Sequence, residues 1–365
     1  MREILLNPGP VSLSDRVRRA ALAHDLCHRE PEFFELQDQV RSRLLDVYQL
    51  DPARWTAILI AGSGTAAMEA MVSSLLPENA QLMVIENGVY GERLSTIAEI
   101  HGIAHQAMHL EWGAEIDPAV LARTLDAAPA TTHLAVVQHE TTTGRLNDLG
   151  AVSRLCRERD IKLLVDAVSS FGGEAIEFEG WGLTAVAATS NKCLHGIPGT
   201  AIVICRRSAL ENAHARSLYL DLVRYAAAQD KQSVPFTPGV PACLALNEAL
   251  AELAEQGGWS ARRARYSELQ SRVEQKLASL GIQPLLAAKE SSVVLRAYHL
   301  PDGMDYKTLH DRLKFRGFII YAGQGSLAQR MFRISTMGDI TAYDMNCLED
   351  ALTAALAPGS NAGGI

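Results

Sequence analysis

The feature that most constrains the fold is a repeated alternation of short apolar runs with helix-like stretches. The strand-like runs cover residues 55–60, 81–85, 133–137, 162–165, 185–189 and 200–205. The helix-like stretches between them include residues 66–76, 91–101 and 148–159. Strands separated by helices form parallel crossover units, and a parallel sheet needs helices on both faces. The pattern therefore predicts an α/β fold with a mostly parallel sheet between helices.

The pattern changes after the proline-rich segment 235–241. A helical region follows over residues 242–280, with an interruption at Gly257-Gly258. Beyond it we predict strands at 292–298, 318–321 and 331–335 and helices at 306–316 and 342–356. These elements indicate a small C-terminal α+β domain. The predicted domains are an N-terminal segment, 1–15, a large domain, 16–250, a small domain, 251–357, and a disordered tail, 358–365.

Composition excludes several classes of function. The chain has 365 residues, 48% of them hydrophobic, and a net charge of −8 with scattered basic residues, so a nucleic-acid partner is not expected. No apolar stretch is long enough for a membrane helix and no signal peptide is visible, so we expect a cytoplasmic protein without a membrane partner. The cysteines form no CxxC pair and the histidines no HExxH motif, so no metal site is predicted.

Three strand-end motifs carry the chemistry, although each has an ordinary interpretation by itself. Ser63-Gly64-Thr65, between a strand and a helix, is suited to holding a phosphate, but it also fits a simple helix cap. Asp166 ends an apolar strand, where ligands bind in such sheets, but an aspartate there also caps turns. Lys192 follows another strand and alone would be interpreted as a surface lysine.

The order of these motifs is more specific than any one of them. The phosphate-binding turn comes first, then Asp166, then Lys192, which lies 26 residues beyond Asp166. Pyridoxal 5′-phosphate needs this set of groups: a phosphate anchor, a carboxylate that keeps the pyridine nitrogen protonated, and a lysine that binds the aldehyde as a Schiff base. The combination therefore predicts a pyridoxal-phosphate enzyme.

The motifs resemble those of the fold-type I, class V pyridoxal-phosphate enzymes along nearly the whole chain. That group includes alanine–glyoxylate and serine–glyoxylate aminotransferases. Thr141-Thr142-Thr143-Gly144, Ser169-Ser170-Phe171-Gly172-Gly173 and Asn191-Lys192-Cys193 are most similar to the branch that uses phosphonates. The matching segments, in family order, are residues 7–10, 28–33, 62–65, 87–91, 139–144, 166–173, 190–199 and 332–334.

The resemblance implies a seven-stranded large-domain sheet and a role for each matching residue. Lys192 would bind the cofactor and move the proton, and Asp166 would pair with the ring nitrogen. Arg333 would bind the carboxylate of the amino acceptor or the phosphonate of the donor, and Gly9 and Pro10 would contact substrate. The other cofactor-binding residues implied are Ser63, Gly64, Thr65, Tyr90, Thr141, Val168, Ser190 and, from a neighbouring subunit, Thr237. That last assignment implies a homodimer with the active site at the subunit interface.

The branch it resembles most transfers the amino group of 2-aminoethylphosphonate to pyruvate, giving phosphonoacetaldehyde and L-alanine, or runs the reverse reaction. Residues 323–325 and 335–338 differ from the pattern of the phosphonate branch, and these differences leave the identity of the amino donor open. The alternatives are an alanine- or serine–glyoxylate aminotransferase, an aminotransferase for another aminophosphonate, a class V lyase, and a catalytically silent binding protein. For Arg333, a structural salt bridge is the competing interpretation. His139 and His195 adjoin the motifs and are interpreted as supporting residues without contact to the reactants.

Overall fold

A computed structural model describes residues 2–357 of the chain. The predicted disordered tail, residues 358–365, lies outside the described residues. No helix within the described range is long and apolar enough to cross a membrane. The first half contains, in chain order, β1 (Ile4–Leu5), α1 (Asp15–Ala21), α2 (Pro31–Asp46), β2 (Trp55–Gly62), α3 (Gly64–Leu75), β3 (Leu82–Glu86), α4 (Val89–Ile100), β4 (His105–His109), α5 (Pro118–Ala127), β5 (His133–Val137), β6 (His139–Glu140), β7 (Arg145–Leu146), α6 (Leu149–Glu158) and β8 (Lys162–Asp166).

The second half completes the large sheet and adds a smaller one. Its elements are β9 (Leu183–Thr189), β10 (Gly199–Arg206), α7 (Leu222–Gln229), α8 (Val240–Glu255), α9 (Gly258–Ser279), β11 (Leu295–His299), α10 (Tyr306–Lys314), β12 (Phe318–Ile319), β13 (Tyr321–Ala322), β14 (Met331–Ser335) and α11 (Ala342–Leu356).

The large sheet has seven strands in the order β2-β10-β9-β8-β5-β3-β4. Only β10 runs antiparallel to its neighbours, β2 and β9. Side chains alternate across a strand, and β2 shows the result: Ala57 and Leu59 pack into the core on one face, whereas Ile58 and Ile60 pack on the other. Both faces are therefore buried by helices, which confirms the predicted α/β class and mostly parallel sheet.

A separate core forms around the three-stranded sheet β11-β14-β13 and helices α9, α10 and α11. The prediction of a single strand at 318–321 is wrong, because this segment forms two short strands that belong to two different sheets. Phe318–Ile319 pairs in parallel with the N-terminal strand Ile4–Leu5, whereas Tyr321–Ala322 pairs with β14. The N-terminal segment is thereby tied to the small sheet's core, and it crosses the large sheet's carboxyl edge next to Lys192.

Several elements have no counterpart among the predicted ones. They are helices α1, α2, α5 and α7, the short strands β1, β6 and β7, and strand β4 at the edge of the large sheet. Strand β4 has the sequence His-Gln-Ala-Met-His and buries only Met108 fully, so it lacks the apolar run that marks a central strand. Helix α2 has mostly polar residues outside its buried side, which weakens its periodic signal.

Candidate active site

The predicted site residues follow the carboxyl ends of strands that run in the same direction. Asp166 ends β8, Lys192 follows β9, Tyr90 follows β3, and Ser63 lies between β2 and α3. Because such strand ends share one edge of a sheet, the side chains of Tyr90, Asp166 and Lys192 converge on the same cleft. The turn of Ser63 adjoins that cleft through the close approach of Gly64 to Val168. The cleft, of about 220 Å³, is lined by Tyr90, His139, Thr141, Asp166, Val168, Ser169 and Lys192.

Asp166 is a buried carboxyl with 3% of its surface exposed. Its Oδ1 accepts a hydrogen bond of 2.8 Å from the backbone N–H of Val168, which fixes the side chain within the strand-end turn. Burial raises the pKa of Asp166 to about 7, against the lowering effect of the Val168 N–H. A nearby positive charge would therefore stabilise the ionised form, as a protonated ring nitrogen would.

Lys192 lies in the loop after β9, and its side chain is held by the N-terminal segment. The amine donates a hydrogen bond to the carbonyl of Pro8. A Cβ at Gly9 would lie 2.5 Å from Lys192 Cδ, and Gly9 has a φ of +109°, so glycine is required there on both counts. Burial lowers the pKa of Lys192 to about 8, so its nucleophilic neutral form is more accessible than for an exposed lysine.

The phosphate-binding turn forms the start of helix α3. Ser63 is the N-cap residue, but its hydroxyl makes no capping hydrogen bond and stays available to a ligand. A Cβ at Gly64 would lie 2.5 Å from Val168 Cγ1, so the turn packs directly against the valine on the cleft wall. The hydroxyl of Thr65 accepts a hydrogen bond of 3.4 Å from Arg93. Free N–H groups, hydroxyls and the helix dipole suit this turn for an anion.

Arg333 on β14 is completely buried. Its Nε donates to the carbonyl of Ala322 at 2.8 Å and its Nη1 to that of Thr141 at 2.7 Å. Its Nη2 has no hydrogen-bond partner among residues 2–357, and the guanidinium lies 5.3 Å from the ring of Tyr321. A buried cation held only by carbonyls and an aromatic ring favours an incoming anion over the alternative of a structural salt bridge.

Five predicted cofactor-binding residues are not among those that line this cleft: Ser63, Gly64 and Thr65, which form the turn behind Val168, and Ser190 and Thr237. The hydroxyl of Ser190 donates to the carbonyl of Ile197 at 2.6 Å, within the loop that carries Lys192. Thr237 lines a separate cavity of about 370 Å³ together with Ala61 and Thr200. The phosphate-binding roles of Ser190 and Thr237 therefore stay predictions.

The structure also reveals two charged residues that sequence reasoning missed. Arg93 lies over the ring of Tyr90 at 4.7 Å, close to Thr65. Glu140 is fully buried and accepts hydrogen bonds from the backbone N–H groups of Tyr90 and Gly91 at the start of α4. Burial raises the pKa of Glu140, whereas these hydrogen bonds oppose the rise. The sequence did contain a signal for Arg93, because it lies three residues after Tyr90 and this spacing places both side chains on one face of a helix.

A fold-type I architecture with a lysine and a buried aspartate in one cleft defines a pyridoxal-phosphate transferase. The chain belongs to the class-V aminotransferase family, whose sequence profile matches residues 18–342. It is similar to the 2-aminoethylphosphonate–pyruvate transaminase of Aeromonas hydrophila subsp. hydrophila, with 36% identity covering 96% of this chain and 94% of the relative. The enzyme of the same name from Vibrio cholerae serotype O1 is 35% identical, with 97% of each chain covered.

A solved structure of similar fold is the alanine–glyoxylate aminotransferase from Nostoc sp.. It has a TM-score of 0.90 and 27% identity, and the match covers 98% of this chain and 96% of that one. The family and the fold confirm the predicted fold-type I aminotransferase class, with pyridoxal phosphate as its cofactor.

The residues of the cleft fit that cofactor. Asp166 would supply the buried carboxylate and Lys192 the amine, and the Ser63–Thr65 turn would hold the phosphate. His139 Nε2 on the cleft wall and the nearby Arg333 Nη2 are buried without partners among the described residues, as expected of groups that bind a ligand.

Proposed function

We propose that this enzyme transfers the amino group of 2-aminoethylphosphonate to pyruvate, giving phosphonoacetaldehyde and L-alanine, or catalyses the reverse reaction. The identity of 34–36% over nearly the full chain to transaminases of that name supports the substrate pair. The observation that carries the proposal is the convergence of Lys192 and Asp166 on a cleft near Arg333, whose Nη2 has no hydrogen-bond partner among the described residues. We infer that this cation binds the carboxylate of the acceptor or the phosphonate of the donor.

Each residue of the site has a separate role in the proposed reaction. When bound, pyridoxal phosphate accepts the amino group and draws electrons from the substrate carbon. Asp166 would keep the ring nitrogen protonated, and Tyr90 and Val168 on the cleft wall would contact the ring. Lys192, whose amine would also bind the cofactor, would move the proton between the substrate carbon and the cofactor carbon. The Ser63–Thr65 turn would hold the cofactor through its phosphate.

The substrate assignment predicts the outcome of a direct assay. The purified enzyme is incubated with pyruvate and a panel of amines, and L-alanine is quantified. Alanine formation from 2-aminoethylphosphonate supports the proposal. Turnover confined to alanine or serine with glyoxylate would instead favour the glyoxylate branch, which the fold similarity to the Nostoc enzyme keeps as the second candidate. Turnover with another aminophosphonate only would change the proposed amino donor and leave the rest of the proposal unchanged.

The same assay tests Arg333. An Arg333→Lys variant keeps a positive charge but loses the planar guanidinium that binds an anion with two hydrogen bonds. We expect kcat/KM to fall about 100-fold, mostly through a higher KM for the substrate whose anion it binds. Arg296→Lys is the matched control, because Arg296 lies on the adjoining strand β11 and pairs with Glu274. Equal losses in both variants would contradict a binding role for Arg333.

We also propose a homodimer in which Thr237 contacts the cofactor phosphate of the neighbouring subunit. Thr237 lines a cavity whose lining includes neither Lys192 nor Asp166, which supports a contact outside the cleft of its own chain. Leu218, Tyr219 and Val223 are apolar residues exposed nearby in the sequence, and a partner subunit would cover such a surface.

The shared site gives a test by subunit complementation. Lys192→Ala and Thr237→Arg chains, inactive alone, are expected to regain activity when refolded together, because a mixed dimer contains one intact site. Recovery approaching a quarter of the unmodified activity is expected, since half the dimers are mixed and each has one of two sites. A monomer in sedimentation, or no recovery in a mixed dimer, would contradict the shared site. The cytoplasmic location stays a prediction.

A further inference from the structure

His139 forms part of the cleft wall, and its Nε2 has no hydrogen-bond partner among residues 2–357. The side chain is 1% exposed and lines the cleft together with Lys192 and Thr141. Its Nε2 is buried and makes no hydrogen bond among the described residues. Leaving a buried polar atom unpaired costs roughly 1–3 kcal/mol, so such an atom beside a ligand cleft calls for a partner from the ligand.

The backbone explains why His139 faces the cleft. His139 and Glu140 form the short strand β6, and side chains alternate along an extended chain. His139 and Thr141 therefore lie on the cleft side. Glu140 points the other way, where its carboxylate accepts the N–H groups of Tyr90 and Gly91 at the start of α4. The buried glutamate thus fixes the register that presents the histidine to the cleft.

The second ring nitrogen is held by Ser169, which also lines the cleft. Ser169 Oγ lies 3.0 Å from His139 Nδ1 and 2.9 Å from the His139 carbonyl, and the Ser169 carbonyl lies 3.5 Å from the same Nδ1. Nδ1 therefore either accepts the hydroxyl hydrogen or carries a hydrogen of its own. When Ser169 donates to Nδ1, the neutral imidazole carries its own hydrogen on Nε2. Nε2 is then a donor directed into the cleft.

The imidazole is neutral under ordinary conditions. Burial lowers the pKa of His139 to about 3, against the opposing effect of the Ser169 carbonyl, and the positive charge of Lys192 lowers it further. The other charged groups that act on Lys192 and Asp166 are Glu140, Arg93 and Arg333.

We propose that His139 is a further cofactor-binding residue, whose Nε2 donates a hydrogen bond to the ring oxygen of pyridoxal phosphate. The inference rests on the proposed function, since it requires that cofactor. In the cofactor this oxygen is attached to the carbon next to the one that carries the lysine-binding group. A donor that lies near Lys192 and shares a wall with Thr141 is suited to that oxygen. A substrate anion would bind more strongly to the positively charged Arg333 than to a neutral imidazole.

The proposal predicts a change in the pH titration of the visible absorption of the lysine-bound cofactor. Negative charge on the ring oxygen stabilises the proton on the nitrogen that joins Lys192 to the cofactor. A hydrogen bond from His139 to the ring oxygen reduces the effect of its negative charge. The nitrogen therefore loses its proton at a lower pH, and the midpoint of the titration is lower. Loss of the hydrogen bond in a His139→Asn or His139→Leu variant is therefore expected to raise the midpoint by about one pH unit.

The matched control is His139→Gln, because the longer amide puts a donor near the position of Nε2, whereas asparagine reaches only the position of Nδ1. We expect the Gln variant to titrate like the unmodified enzyme. An unchanged midpoint in the Asn variant, or an equal shift in the Gln and Asn variants, would overturn the proposal. So would a higher KM for pyruvate with an unchanged midpoint, because the histidine would then bind substrate.

A second variant covers the case in which the His139 variants fail to fold. Ser169→Ala removes the hydroxyl that orients the imidazole, and a smaller upward shift is expected. If the His139 variants show no cooperative thermal transition, an unchanged midpoint in Ser169→Ala overturns the proposal. The titration uses no substrate. Absence of the visible absorption band from the unmodified protein would instead contradict the cofactor assignment on which the proposed function depends.

Discussion

Replacement of Lys192 with alanine is expected to abolish both turnover and covalent cofactor binding. The loss of activity should be on the order of 10⁴-fold or more, because one amine both binds the cofactor and moves the proton. The structure supports this dual role. Burial lowers the pKa of Lys192 to about 8, and the side chain lies in the same cleft as Asp166 and Tyr90.

Borohydride reduction followed by peptide mass analysis measures the covalent link directly. The cofactor is expected on the peptide that contains Lys192 in the unmodified enzyme and on no peptide in the Lys192→Ala variant. Lys162→Ala is the matched control, since Lys162 begins β8 and forms an exposed ion pair with Asp160. It should keep full activity. Retained turnover in Lys192→Ala, or cofactor attached to another lysine, would contradict the assignment.

Replacement of Asp166 with asparagine should have the second largest effect, and it should change activity and stability in opposite directions. Asparagine preserves an acceptor for the Val168 N–H, now 2.8 Å from Asp166 Oδ1, but it removes the charge that keeps the ring nitrogen protonated. Breaking a buried charge pair costs roughly 3–5 kcal/mol, so we expect turnover to fall on the order of 10²- to 10³-fold.

The cofactor-free protein should become more stable with the same substitution, and only at higher pH. Burial raises the pKa of Asp166 from its ordinary value of 3.8 to about 7. Below the ordinary pKa of 3.8, the protonated carboxyl contributes its full share to the stability of the folded state. This share of the unfolding free energy is lost as the pH rises through about 7. Asparagine never ionises. Its advantage is therefore small at low pH and reaches at most about 4 kcal/mol above pH 7.

Thermal unfolding of the cofactor-free proteins at about pH 5 and about pH 8 measures this dependence. The gain of Asp166→Asn over the unmodified chain should be larger at the higher pH. Asp160→Asn is the control, because Asp160 is an exposed residue just before the opposite end of β8, and it should show no such gain. A pH-independent effect of Asp166→Asn would show that the buried charge is not its cause.

Most of the large domain could be predicted from the sequence because its strands are continuous apolar runs. The strands His133–Val137 and Met331–Ser335 and the helix Ala342–Leu356 have the predicted bounds. The other predicted strands of the large sheet differ by one or two residues at their ends, the usual uncertainty of element ends. Prediction failed where pairing partners decide the structure. The segment 318–322 divides between two sheets because one part pairs with the N-terminal strand and the other with β14.

The sequence by itself was enough to predict the set of residues that we expect to hold the cofactor of this aminotransferase: Lys192, Asp166 and the Ser63–Thr65 turn. Each motif follows a strand whose apolar run is visible in the sequence, and parallel strands bring their carboxyl ends to one edge. Motif order was therefore enough to predict their meeting.

Only the tertiary structure decided which charges and polar atoms lack partners. Arg333 had two possible roles from the sequence, and the structure favours anion binding because its Nη2 has no partner among residues 2–357. The unpaired Nε2 of His139 and the contact of the Pro8 carbonyl with Lys192 also join residues far apart in the chain. Burial and hydrogen-bond satisfaction depend on every element that packs around an atom, and no local pattern contains that information.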